Sequence, residues 1–338
     1  MLTFDGHHVY FEDALAKYDR CAFAEAVESW DCALEKRESA HARWNRGQAR
    51  LSLGDYGAFA QDYPARWDLF PNLLDEDGKF LRDNLARWNG EACERLVLVH
   101  EMGFGDSIML LRYVPVLERL GFTTFLMMPP ELRRLAAQLA PTVCEGAQYW
   151  CPMYDVFMYL DERPSTVPIE PYLRPDPELV DEWRGRVNRE RRNIGIAWST
   201  GRWQDRDFQR AIPLEIFLYL LDAHDAEIYS LQKQGGDDAL RHGVHAFEFK
   251  DFAEVAALAS LMDEIVTVDT AAAHVAGAIG HGNVTVLLPY LSSWRWLGEK
   301  NVWYSVTRCQ QDRPGDWASA FAKMRRAAPG TESDAAKA

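Results

Sequence analysis

Two spacings of apolar residues divide the chain. Up to about residue 90 the pattern is helical, and "FEDALAKYDRCAFAEAVESWDCAL" is loosely echoed by "WNRGQARLSLGDYGAFAQDYPARW". Phe23 and Tyr56 stand 33 residues apart, as do Trp30 and Tyr63, and the small residues Ala14 and Gly47 keep the same offset. That period is near the tetratricopeptide length, in which paired helices pack small residues against aromatic knobs. About two such repeats are expected over residues 1–90, with a generic helical-hairpin domain as the competing reading.

From about residue 91 short apolar runs alternate with amphipathic helices, the signature of a parallel α/β sheet. Strands are expected at 95–100, 123–128 and 154–160, with helices at 106–121 and 129–140 between them. A proline-rich linker, "RPSTVPIEPYLRPDP", follows, and the alternation restarts. Strands are then expected at 193–198, 226–232, 264–269 and 283–289, and helices at 212–224, 252–262, 270–280 and 315–327. The expected architecture is a helical domain (1–90), two Rossmann-like lobes (91–172 and 173–327) facing a cleft, and a disordered tail (328–338).

Composition narrows the partners. The 338 residues carry a formal net charge of -14 and no Lys/Arg-rich run, which argues against a nucleic-acid backbone or an anionic membrane surface. The six cysteines form no C-x-x-C pair and no zinc-type spacing, and no apolar run has bilayer length. A cytoplasmic protein with no resident metal or cofactor is expected, and oligomerisation is left open.

Four stretches offer chemistry. In "EMGFGD" a strand meets a helix through Gly103, Phe104 and Gly105, but both the third glycine of a dinucleotide fingerprint and a P-loop Gly-Lys are missing. Asp106 is read either as a helix cap or first-turn residue, favoured by orphan N–H groups, or as a catalytic carboxylate. In "VTVDTAAAHVAGAIG" a strand runs into Asp269 and Thr270, and Ala271 and Ala272 open a helix whose free N–H groups suit a diphosphate. His274, one turn on, is either structural or a further donor. "AWSTGRWQDRDFQRAIPL" sets Ser199 and Thr200 beside Arg202, Arg206 and Arg210, with Arg210 the best placed cation, just ahead of a helix. The aromatic stretch 287–306 is read as core at Trp303 and is left open at Trp294 and Trp296.

Taken in order, "LVLVHEMGFGDSIMLLRYVPVL", "GIAWST…DRDFQRAIPL", "YSLQ", "VTVDTAAAHVAGAIG" and "LLPYLSSWRWL…WYSV" resemble the heptosyltransferase-like (family 9) glycosyltransferases. The likeness extends to a bacterial subgroup in which tetratricopeptide repeats precede the catalytic unit. It implies an α/β GT-B fold whose final helix crosses back to the first lobe. It also implies an inverting, metal-independent transfer from a nucleotide-sugar to an acceptor hydroxyl. By that resemblance Asp106 is the general base, and Arg210, Asp269, Thr270 and His274 face the donor; Ser199, Thr200, Gln232, Ala271 and Ala272 are expected on the same side. Gly103, Phe104 and Gly105 form the acceptor-side loop. Ala271 stands where the family commonly has glycine or valine, "DERPS" (161–165) replaces the subgroup's S-L-P, and the loop after "AWS" lacks G-N. The acceptor is expected to be a protein, such as flagellin, or a glycan engaged through the helical domain. A glycolipid acceptor and a non-catalytic scaffold are the alternatives.

Overall fold

The computed structural model describes residues 6–142, 145–160, 164–200, 209–233, 235–298 and 301–327. Arg202, Arg206 and most of "DERPS" lie outside these residues.

The chain opens with helices Gly6–Asp19, Phe23–Lys36, Ala40–Ser52 and Tyr56–Asp62, each packed on the one before. Ser39 and Asp55 accept N–H groups of the first turns of the last two, which fixes where those helices begin. The repeated positions behave alike. Ala14 is buried beside Trp30 and Phe23 in one cluster, and Gly47 lies against Phe59 with Tyr63 nearby. A Cβ at Gly47 would come 3.2 Å from that of Asp62, so the small residue lets two helices close on each other.

The first sheet is wholly parallel, with strands β1 (Ala86–Arg87), β2 (Arg95–Val99), β3 (Thr123–Met127) and β4 (Tyr149–Pro152) in the order β1-β4-β2-β3. Its β2 is buried at four of five positions, as a strand covered on both faces must be. One of those faces is covered by residues ahead of 91, because Leu74 and Leu81 pack with Val97, Val99, Phe125 and Trp150. The first sheet therefore recruits both a strand and a covering helix, Glu76–Asn84, from the segment read as part of the helical domain.

The strand expected at 154–160 lies earlier, as β4, and 153–159 instead coils into a 3-10 turn and the helix Val156–Tyr159. Tyr154 and Phe157, three apart, share a helical face and turn it to Phe59 and Tyr63 of the helical domain. The apolar run was real, but its spacing serves a helix contact rather than a sheet.

The linker is tied down. Tyr172 N and Leu173 N donate to Ala278 O, and Tyr172 Oη lies 2.9 Å from Ile108 O and 3.3 Å from Tyr304 Oη, so one side chain touches both lobes. The second sheet is also parallel, with β5 (Arg192–Ala197), β6 (Ala226–Ser230), β7 (Glu264–Val268), β8 (Val284–Leu288) and β9 (Thr307–Gln310) in the order β6-β5-β7-β8-β9. Trp294, Trp296 and Trp303 are all buried. The final helix, Trp317–Ala327, sets Trp317, Ala320, Phe321 and Met324 into the second lobe's core beside Phe217, Leu287 and Cys309. Within the described residues it packs there, where the resemblance had led us to expect a return to the first lobe.

Candidate active site

The cleft lies at the C-terminal ends of the central strands of both sheets, where open α/β sheets present ligand sites. From the first lobe, β2 ends at Val99 and the chain turns through Glu101, Met102 and Gly103 into the helix Phe104–Leu110. Met102 takes a left-handed φ of 66°, a conformation uncommon for any residue but glycine. Glu101 anchors the turn from beneath. Its carboxylate, fully buried, accepts from Arg66 Nε at 2.9 Å and from the Tyr154 N–H at 2.9 Å. Arg66, also fully buried, donates in addition to Asp155 Oδ1, whose other oxygen takes Arg87. A side chain of the helical domain therefore holds the glycine loop in place.

From the second lobe, β7 ends at Val268 and Asp269 and Thr270 lead into the helix Ala271–Ala278. The two short helices pack on each other across the cleft. A Cβ at Gly105 would lie 2.6 Å from His274 Cδ2. The space left by this glycine is thus filled by a ring of the opposite lobe, where room for an acceptor had been expected.

Between the two helix starts lies a cavity of about 300 Å³ lined by Gly103, Phe104, Gly105, Asp106, Thr200, Arg210, Asp269, Thr270, Ala271, His274 and Arg295, with His100 and Met102. An adjoining cavity of about 330 Å³ shares Phe104, Thr200, Thr270 and Ala271 and adds Ser199, Gln232 and Ala272. Every donor-side and acceptor-side candidate among the described residues therefore lines one of these two adjoining cavities. The second chamber is the more apolar, with Leu231, Phe249, Phe252 and Val255 in its wall. Gln232 shapes it by accepting the Trp198 and Ser199 N–H groups at 3.0 and 3.2 Å. Its rim is stitched across the lobes by Arg134 to Asp251 at 2.9 Å.

Asp106 answers both readings, one with each oxygen. Its Oδ2 accepts the Gly103 N–H at 3.0 Å, the bond of a first-turn carboxylate reaching back over the helix start. Its Oδ1 faces the cleft and accepts from Tyr154 Oη at 2.5 Å, from Arg295 Nε at 2.7 Å and from Arg295 Nη2. Burial works against the charge, but Arg295, Tyr154 and the Gly103 N–H outweigh it and hold the carboxyl below its ordinary range. Asp269 is similar, since burial is outweighed by Arg210, whose Nη1 lies 3.2 Å from Oδ2.

His274 is buried, and that burial drives its pKa down to about 4 despite Asp269 nearby. The ring is neutral at pH 7. Its Nδ1 lies 3.1 Å from Tyr304 Oη, its Nε2 lies 4.0 Å from Asp269 Oδ1, and Trp296 packs on it. It serves this site as a neutral hydrogen-bonding group rather than a cation. Thr270 Oγ1 lies 3.1 Å from Thr267 Oγ1, which orients the hydroxyl at the start of the helix.

Two site residues were missed from the sequence. Tyr154 sat in a run read as strand. Arg295 sat in "SSWRWL", read only for its aromatics, although an arginine between two tryptophans of a core segment needs a polar partner inside the fold. Among the described residues no three His, Cys, Asp or Glu side chains group as a metal site, and no helix is long and apolar enough to cross a membrane.

No family model matches the chain. It is 24% identical over an alignment of 353 positions to Protein FlbA of Caulobacter vibrioides, which takes in 90% of this chain and 58% of that protein. The chain thus spans little more than half the length of that relative. Among solved structures it resembles a family 9 glycosyl transferase from Veillonella parvula at 11% identity and a TM-score of 0.44, over 69% of this chain and 95% of that one. It also resembles a point mutant of the Thermobaculum terrenum O-GlcNAc transferase at 10% identity and a TM-score of 0.31, over 96% and 84% respectively. Likenesses this low carry no information about substrate. The chain is similar to these proteins, and its own chemistry has to be argued from its cleft.

Proposed function

We propose that the chain is a glycosyltransferase that moves a sugar from a nucleotide-sugar to an acceptor hydroxyl, by direct inversion and without a metal. The observation that carries this reading is the opposition of unlike groups across one cavity. A carboxylate, Asp106, projects from the first lobe, and Arg210, Thr270 and the start of the helix Ala271–Ala278 face it from the second. A diphosphate leaving group gains negative charge as its bond to the sugar breaks. Fixed N–H groups and a guanidinium stabilise that charge without reorganising. The attacking hydroxyl becomes acidic as its bond to the sugar forms, and a carboxylate on the opposite side takes its proton. The more apolar chamber, walled by Leu231, Phe249, Phe252 and Val255, suits a nucleoside.

The acceptor belongs on the side of the helical domain. That domain holds the Asp106 loop through Arg66 and Glu101, and a protein acceptor such as flagellin, bound along its helices, fits its repeat-like pattern. A calorimetric screen with UDP-, GDP-, ADP- and CMP-sugars tests the reading. One donor class is expected to bind wild type, and Asp106→Asn is expected to lower transfer from it by roughly 10²–10⁴-fold. Binding of none of the four, or near-normal transfer in the variant, contradicts it.

A further inference from the structure

As folded, the cleft-facing oxygen of the base is already occupied. Three donors converge on Asp106 Oδ1, namely Tyr154 Oη and Arg295 Nε and Nη2, and its other oxygen is committed to the Gly103 N–H. Oδ1, the oxygen that faces the cleft, therefore offers an acceptor hydroxyl no free lone pair. Arg295 arrives from the second lobe, 189 residues away in sequence, and its Nη1 rests on Ser293 Oγ at 2.8 Å. Its guanidinium lies over the Trp294 ring, 4.8 Å from the centroid.

The same cavity holds a second pair of this kind, Arg210 with Asp269. Two carboxylates and two guanidiniums then sum to no net charge, an arrangement with little field for a dianion. A diphosphate that enters between them competes with each carboxylate for its arginine. Phosphate oxygens match a guanidinium as well as a carboxylate does, and they carry more charge.

We propose that Arg295 is a second ligand of the donor diphosphate, held in reserve by Asp106, so that donor binding and release of the base are one exchange. The inference rests on the donor-site reading above. When Arg295 turns from Asp106 to the phosphate, Oδ1 keeps Tyr154 and gains an open lone pair facing the cleft. No covalent bond changes in this step. One ion pair is replaced by another, and the carboxylate regains the basicity that the guanidinium suppressed. The device also orders events, since the base opens only once the diphosphate is in place.

The exchange predicts an effect that a simple base does not. Removing the charge of Asp106 frees Arg295, so Asp106→Asn binds the diphosphate more tightly than wild type while losing transfer. The experiment is calorimetric titration of wild type, Asp106→Asn, Arg295→Gln and the double variant with UDP, GDP, ADP and CDP. For the nucleotide that binds, affinity is expected to rise about tenfold in Asp106→Asn, to fall about tenfold in Arg295→Gln, and to show no gain in the double variant over Arg295→Gln. Equal or weaker binding by a folded Asp106→Asn overturns the exchange and leaves the donor site standing. Silence of all four nucleotides with both wild type and Asp106→Asn overturns the donor site and the exchange together. If Asp106→Asn fails to fold, Arg295→Gln decides, and unchanged affinity there overturns the proposal.

Discussion

Two clusters of paired charges, about one loop apart, are built to opposite ends. In the cluster of Arg66, Glu101 and Asp155 every side chain is fully buried, and Tyr63 and Trp67 cap the guanidinium. In the cleft cluster of Asp106 and Arg295 the side chains keep 13% and 21% of their exposure and border a cavity. Burial pushes the Glu101 carboxyl up against the pull of Arg66, whereas Asp106 is held down. The first cluster has nowhere to send its arginine, and the second has a cavity beside it. An ion pair is a fastener when dry on all sides, and an exchangeable contact when one side opens on space that an anion can enter.

Stability measurements sharpen this contrast first. Arg66→Met leaves Glu101 without its cation in the interior and is expected to cost about 3–5 kcal/mol in urea unfolding. Arg295→Met leaves Asp106 its bonds to Tyr154 and Gly103, and is expected to cost no more than about 1 kcal/mol. Equal costs would erase the distinction between fastener and exchangeable pair.

A second test uses protons. The unfolded chain protonates His274 near the ordinary histidine pKa of 6.5, while in the folded chain the ring resists until about pH 4. Stability from this group is therefore full above pH 6.5 and falls as pH drops toward 4. Between pH 7 and pH 5 wild type is expected to lose about 2 kcal/mol more than His274→Gln does. Parallel pH profiles of the two proteins would show that the ring is not held neutral by the cleft.

The smallest expected effect falls on the other cleft pair. Arg210→Ala is expected to weaken nucleoside diphosphate binding about tenfold, with urea unfolding at pH 7 changed by less than about 1 kcal/mol. Unchanged affinity would remove Arg210 from the donor site.

The sequence pattern carried the architecture well where periodicity decides it. The runs at 95–100 and 264–269 end in strands of the expected place because buried parallel strands are continuously apolar. It failed at 154–160, where the same apolar richness serves a helix packed on Phe59. Asp106, Arg210, Asp269 and Thr270 were readable because each sits at a strand-to-helix turn, a position with a local signature. Arg295 and Tyr154 were not, since their roles depend on pairing across 189 and 48 residues that no local spacing encodes. Nor did spacing reveal why Gly105 is glycine, because the ring that fills its place belongs to the other lobe.

Whether the cleft pairs open to a diphosphate is decided by a crystal structure with the nucleoside diphosphate bound. Phosphate oxygens are expected between Thr270 and the two arginines, with the guanidinium of Arg295 turned away from Asp106 and Oδ1 left with Tyr154 alone. A bound diphosphate with Arg295 still on Asp106 would contradict it.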